Sequence, residues 1–200
     1  MKMIKKKLNN YLENYNVYFS SREEDNLRVF KTINRLLKLN NFEILCKGKK
    51  LLDVGSGDKS FFNVCLKNEL KAEEIDGKDG YNFEKDKLPF ENDDFDFVLF
   101  NAVIEHLHSP DLILKEINRV LKSEGILILI TPNFRYAFRN FYDDPTHVQP
   151  YTPKSLAKIL EMNKFKYNKI FPFLVNKNEI YWKLPFKFFF ASIIPLRNDT

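Results

Sequence analysis

The chain has only two cysteines in 200 residues, Cys46 and Cys65. They form no CxxC pair, so a disulfide framework or a zinc knot is not expected, and a reducing cytoplasm fits best. Long apolar runs are also missing. None reaches the roughly 18–20 residues that span a bilayer, and the early lysines (Lys2, Lys5, Lys6, Lys7) precede no apolar signal core. Charge of one sign does not dominate. Basic residues number 32 and acidic ones 27, for a net charge of +5, which describes a mildly basic surface rather than a nucleic-acid-binding arm. Glycine occurs only six times and histidine three times. Each of these residues therefore invites a local explanation.

Apolar residues are plentiful, at 44 % with 20 phenylalanines, enough for the core of one domain. Ser21 and Glu24 have capping-box spacing ahead of Leu27, Phe30, Ile33, Leu36 and Leu37, which predicts a helix. Residues 49–54 read as a buried strand that runs into a glycine turn. Phe62, Cys65, Leu66 and Leu70 mark the face of the next helix, and residues 72–76 a more polar strand. Residues 95–100 form another strand. Ser109-Pro110 opens a helix carrying Ile113, Ile117, Val120 and Leu121, which Gly125 is expected to stop. "ILILIT" is an apolar strand, Thr152-Pro153 opens a further helix, and "KIFPFLV" reads as a last strand. Strands alternating with helices predict an α/β fold with a parallel sheet, apolar on both faces. No internal repeat interrupts this order.

In such sheets ligands gather at the carboxyl ends of the strands. The first strand ends in "LLDVGSGDKS", residues 51–60. Gly55 and Gly57 supply two glycines of a dinucleotide fingerprint, but Ser60 replaces the third. Asp53, two residues before the first glycine, repels a pyrophosphate and tolerates a cation, such as the sulfonium and ammonium of S-adenosylmethionine. Asp76, at the end of the second strand, can accept two ribose hydroxyls. A tight strand-to-helix turn with no ligand is the plainer alternative.

"LLDVGSGDKS", "LPFENDDFDFVLFNAVIEHL" and "EINRVLKSEGILILITPN", in this order and spacing, resemble the class I S-adenosylmethionine-dependent methyltransferases over about residues 48–165. The likeness is greatest to small-molecule enzymes such as the ubiquinone-biosynthesis and sugar or lipid-precursor O-methyltransferases. The resemblance implies a Rossmann-like, doubly wound, mostly parallel sheet, seven-stranded in the family. It implies S-adenosyl-L-methionine as cofactor, held by Asp53, Gly55, Ser56 and Gly57 at the first turn and by Asp76 at the ribose. Asn82 and Phe83 fall on the adenine side, and Asn101 and Ala102 near the methionine end.

Two departures carry expectations of their own. Lys59 stands near the family's third glycine. Only eleven residues separate Asp76 from Leu88, too few for the usual crossover helix, so that crossover should be reduced and the edge strand short. In ubiquinone-type relatives an ExxEH pattern after the fourth strand accompanies a divalent metal. Here Ala102 replaces its first acid, leaving Glu105 and His106. Two ligands make a weak site, and no required metal is expected.

Methyl transfer to a hydroxyl profits from a base, and histidine suits that role near neutral pH. His147 in "YDDPTHVQPYTPKSL", with Asp143 and Asp144 beside it, is a candidate to position or deprotonate an acceptor; rigid Asp-Pro and Thr-Pro turns are the bland reading. His106 is either catalytic or a packed residue bordering the cofactor. His108 reads as solvated. Arg135 and Arg139 could hold an anionic group.

The organisation expected is a helical segment over 1–47, the methyltransferase domain over 48–175 and an apolar extension over 176–200. Residues 181–196 could pack as core or lid, close the sheet, or lie on a membrane surface. The function expected is methylation, on oxygen, of a small-molecule or lipid-linked acceptor. Two alternatives remain beside it. A partner subunit that has lost the cofactor draws on Lys59 and the short crossover. Nucleic-acid methylation is disfavoured, because "NAVIEH" stands where [DN]PP[YF] would.

Overall fold

The computed structural model describes residues 23–166 and 169–171. Strands β1 (Lys50–Val54), β2 (Lys71–Ile75), β3 (Phe95–Asn101) and β4 (Leu121–Ile130) form one parallel sheet in the order β2-β1-β3-β4. The helices are α1 (Glu23–Leu39), α2 (Ser60–Lys67), α3 (Asp111–Val120), the single turn α4 (Phe134–Ala137) and α5 (Pro153–Met162).

The strands sort their side chains by alternation, because successive residues point to opposite faces. Leu51, Phe97 and Leu99 face α1 and α2, where they pack with Phe30, Ile33, Leu37, Phe61, Val64 and Cys65. Leu52, Val54, Val98 and Phe100 face the other way, onto Ile113, Leu114, Ile117 and Val120 of α3 and Leu156 and Leu160 of α5. Both faces are covered, as a parallel sheet requires. This is the doubly wound α/β arrangement that the sequence predicts. Its central phenylalanines, Phe95, Phe97 and Phe100, have no exposed surface, and truncating any one to alanine costs about 3–5 kcal/mol. The predicted helix at Phe30 begins at Glu23, and its Ser21 cap lies outside the described residues. So do the greater part of "KIFPFLV" and the whole of residues 181–196.

The crossover from β2 to β3 contains a 3-10 turn (Gly77–Asp79) and no α-helix, and the edge strand β2 has five residues. Side chains from α3 brace this segment instead. Arg119 donates to the Leu88 and Phe90 carbonyls at 3.0 and 2.8 Å, and the Leu88 amide donates to Glu116 at 3.0 Å. Hydrogen bonds from Arg119 hold the Glu116 carboxyl below its usual range.

Helix α3 ends sooner than the sequence suggests. Leu121 is extended and pairs with Phe95, the next regular pair is Phe97 with Ile126, and Gly125 lies within the irregular stretch between them. Burying Leu121 against β3 overrides the helical spacing that continued through it. At the other end of the domain the Thr152-Pro153 start is as expected. Thr152 and Ser155 form a reciprocal capping box with Pro153 at the first helical position.

Candidate active site

The carboxyl end of β1 turns sharply at Gly55-Ser56-Gly57. Gly55 has φ +80°, and a Cβ there would lie 2.2 Å from Val103 Cγ2. Glycine is thus required twice, by backbone and by space. Its amide donates to the Ile75 carbonyl at 2.8 Å, tying the turn to the end of β2. Gly57 has φ +59°, but nothing lies within 4 Å of its Cβ position, so the turn is open there. Lys59 takes up the left-handed conformation, φ 62°, that a third glycine would adopt freely. Its ammonium meets Glu74 at 2.5 Å, and Ser56 Oγ donates to the same carboxylate at 2.6 Å.

Two acids frame the turn. Asp76 accepts the Gly57 amide through Oδ2 and the Lys78 amide through Oδ1, both at 2.8 Å. Each oxygen keeps a lone pair for a hydroxyl. Asp53 is 3 % exposed. Burial first, and then the charges of Glu74, Asp76 and Asp58, push its carboxyl up to about 7. A buried acid surrounded by acids is strongly relieved by a cationic ligand. The residues present therefore fit S-adenosylmethionine: a buried acid at Asp53, an open backbone turn at Gly57 and, at Asp76, a carboxylate with lone pairs to spare for hydroxyls.

Asn82 and Phe83 lie in the connection from β2 to β3. Asn82 is exposed, and its side-chain oxygen accepts the Glu84 amide at 3.0 Å, closing a local turn. Phe83 is buried in the α3-side core, its ring 6.4 Å from Tyr81. Asn101 ends β3 opposite Ile130, and Ala102, with φ 53°, donates its amide to the Ile130 carbonyl at 2.9 Å.

Beyond Ala102 the chain makes a 3-10 turn, Ile104–His106, and meets the loop after β4. Glu105 has no exposed surface. Its backbone carbonyl accepts the Val148 and Gln149 amides at 2.9 and 3.0 Å, which sews the two segments together. Its Oε2 accepts from Thr131 Oγ1 at 3.0 Å, and its Oε1 has no partner among the described residues. Burial raises the pKa of its carboxyl, opposed by its own backbone amide, by the Thr131 hydrogen bond and by His106 and His147.

The two histidine rings lie 4.8 Å apart, and His147 also packs on the buried Phe141 at 4.5 Å. Asp144 Oδ2 is 3.8 Å from His147 Nε2. Asp144 Oδ1 accepts from the Thr146 amide and hydroxyl at 2.8 and 2.6 Å. His106, His147 and Asp144 are thus brought together, whereas His108 is exposed. The corner also includes Glu105, the acid left of the ExxEH pattern, together with Thr131 and Thr146. For Thr146 the Asp-Pro-Thr turn is the visible signal, since Asp144 folds back onto it there; Thr131 has none. Tyr151 is buried close by, its hydroxyl without a partner among the described residues; burial, with Glu105 and Asp111, raises its pKa to about 12.

The four-stranded parallel sheet with its D-x-G-x-G turn fits a Rossmann-like class I methyltransferase fold, and solved structures share the architecture. A S-adenosylmethionine-dependent methyltransferase from Archaeoglobus fulgidus superposes with a TM-score of 0.59 at 22 % identity, over 78 % of this chain and 75 % of that one. Another, from Aquifex aeolicus, gives 0.50 at 21 % identity, over 69 % of this chain and 82 % of that one. An uncharacterized protein of Methanocaldococcus jannaschii is 30 % identical over 127 residues, 60 % of this chain. The chain spans 58 % of that relative's length. A family profile described as a methyltransferase domain matches residues 21–169. The chain belongs to that family, in the class that uses S-adenosylmethionine. Among the described residues no helix is long and apolar enough to cross a membrane.

Proposed function

We propose that this chain transfers the methyl group of S-adenosylmethionine to a hydroxyl of a small-molecule or lipid-linked acceptor. The observation that carries this reading is the contact between Val103 and Gly55. Glu105 and His106 follow Val103 by two and three residues, which supports a histidine corner near the turn suited to the cofactor.

The cofactor supplies the electrophilic methyl carbon and the sulfur leaving group when bound. Asp53 and the Gly55–Gly57 backbone hold its methionine end, and Asp76 its ribose. The protein's remaining task is alignment, because an in-line displacement is fast only when the nucleophile is held at the reacting carbon. His106, His147 and Asp144 form the group that holds the acceptor hydroxyl and takes up its proton. Burial of Phe141 beneath His147, and hydrogen bonds to both rings, fix them for that purpose. Oxygen is favoured over nitrogen as acceptor because a hydroxyl must lose its proton to become a good nucleophile, and this corner concentrates acceptors of protons.

Calorimetric titration with S-adenosylmethionine and S-adenosylhomocysteine tests the cofactor half. Assays against sugar, quinone and lipid-linked hydroxyl acceptors test the other. Binding of both nucleosides and turnover with at least one hydroxyl acceptor are expected. No binding to folded protein would overturn the enzyme reading, and turnover with amines alone would overturn the oxygen assignment.

A further inference from the structure

We propose that Glu105, His106 and His147 form a binding site for a first-row divalent cation of the zinc type. One ligand atom from each of the three lies within 4.8 Å of the other two. Ligands of one ion stand closer together than this, so the rings need to close by only about an ångström to reach metal–nitrogen distances near 2 Å.

The second observation is independent of that spacing. Glu105 is wholly buried, and its Oε1 meets no donor among the described residues. A carboxylate oxygen buried without a partner is costly. A cation between it and the two rings removes that cost.

The hydrogen bonds around the rings point the same way. His147 Nδ1 lies 2.6 Å from the Phe141 carbonyl, and His106 Nδ1 3.2 Å from the Thr146 carbonyl. A carbonyl only accepts, so both Nδ1 atoms carry the proton. Thr146 Oγ1 fits this assignment, since it spends its own proton on Asp144 and receives His106 Nδ1–H at 2.9 Å. In the neutral ring Nε2 then keeps its lone pair. Metal-binding histidines are oriented by such a bond on the opposite nitrogen, and Thr131 does the same for Glu105.

Two imidazoles and one carboxylate suit zinc, manganese, iron or cobalt rather than magnesium or calcium, which prefer all-oxygen sites. Three protein ligands leave a position open for a further oxygen. With the ion bound, both Nε2 lone pairs are committed to it, so the rings hold the ion and Asp144 is the acceptor left for the hydroxyl's proton. That the open position serves this hydroxyl rests on the function proposed above; the binding of the ion does not. Along the sequence, Ala102 leaves Glu105 and His106 as a weak pair. The loop after β4 supplies the third ligand.

The full-length chain, stripped with chelator and dialysed, is titrated with Zn²⁺ by calorimetry and with Co²⁺ by visible absorption. One strong site per chain is expected. Glu105→Gln and His147→Ala should each lose more than the roughly 10–100-fold that removal of an outer hydrogen-bond partner costs, and His108→Ala should lose nothing. Nitrogen-edited NMR of the unsubstituted protein needs no variant. Zn²⁺ should shift the ring resonances of His106 and His147 and leave His108 in place. Equal affinity in all three variants, or unmoved rings, would overturn the proposal. A parallel titration with S-adenosylmethionine separates the two claims. Cofactor binding without Zn²⁺ binding sinks only the metal site, and the reverse sinks only the methyltransferase reading.

Discussion

The glycine turn and the histidine corner are neighbours at one end of the sheet, joined where Val103 packs on Gly55, yet they are built in opposite ways. The turn is nearly contiguous. Asp53, Gly55, Ser56, Gly57 and Lys59 follow one another, and Glu74 and Asp76 arrive on the adjacent strand. The corner draws Glu105 and His106 from one connection and Asp144, Thr146 and His147 from another, about forty positions further along, as the His106–Thr146 contact shows. The turn is acidic and open, its strain stored in backbone conformation. The corner is partly buried and cross-linked around the wholly buried Glu105, its cost stored in a carboxylate oxygen with no partner among the described residues. A site that only needs to present backbone to a nucleoside can be local. A site that must fix two rings and a carboxylate needs several elements to hold it.

The sharpest way to break this comparison is to damage one region and watch the other. His147→Ala should lower turnover by about 10²–10⁴-fold, while S-adenosylmethionine affinity stays within a factor of two or so. Unchanged turnover would make His147 a packing residue. Asp76→Ala should weaken cofactor binding by about 10–100-fold, as expected for roughly 1.5–3 kcal/mol of hydrogen bonds to a charged group. Asp79→Ala, in the same 3-10 turn, should do almost nothing. Equal losses would remove the ribose assignment.

Gly55→Ala should destabilise the fold by about 1–3 kcal/mol, because the new methyl meets Val103 and the backbone is left-handed. Gly57→Ala, with open space at its Cβ, should carry only the backbone part, about 1–2 kcal/mol. Thermal melts of the pair measure the difference, and similar losses would mean that Val103 can step aside.

Asp53 gives a prediction in pH. Its carboxyl is pushed up to about 7 in the folded chain, above the usual value near 3.9. Its contribution to stability is thus full below about pH 4 and lost as pH rises through about 7. A cationic ligand favours the ionised form, so affinity for S-adenosylmethionine should climb from about pH 5.5 to 7.5 and then level. Asp53→Asn should flatten that climb. A wild-type profile that is already flat would show that no positive group of the ligand reaches this acid.

The smallest effect concerns Lys59. Glycine there relieves about 1–2 kcal/mol of left-handed strain and gives up a half-exposed pair with Glu74 worth about 0–1 kcal/mol. The melting temperature of Lys59→Gly should rise slightly or stay put. A clear fall would show that the Lys59–Glu74 pair holds the turn together.

Much of this was readable in the residues. Alternation of apolar runs and helical faces predicts the layered parallel sheet, and the short span after Asp76 predicts the missing crossover helix. Spacing alone misplaced the end of α3, because the pull of Leu121 into the sheet is a tertiary effect that a helical pattern does not reveal. Nor does spacing reveal that the Phe83 ring is buried in the core on the α3 side of the sheet.

The sequence by itself determined the local pieces: which strand ends in glycines, which acids stand at strand ends, and how little chain was available to cross back to β3. Those depend on neighbours along the backbone, where φ preferences and side-chain alternation act. Only the tertiary structure decided that the rings of His147 and His106 meet and that Glu105 beside them is sealed from water. Contacts between distant segments are set by how the whole core closes, and no short-range pattern encodes that closure.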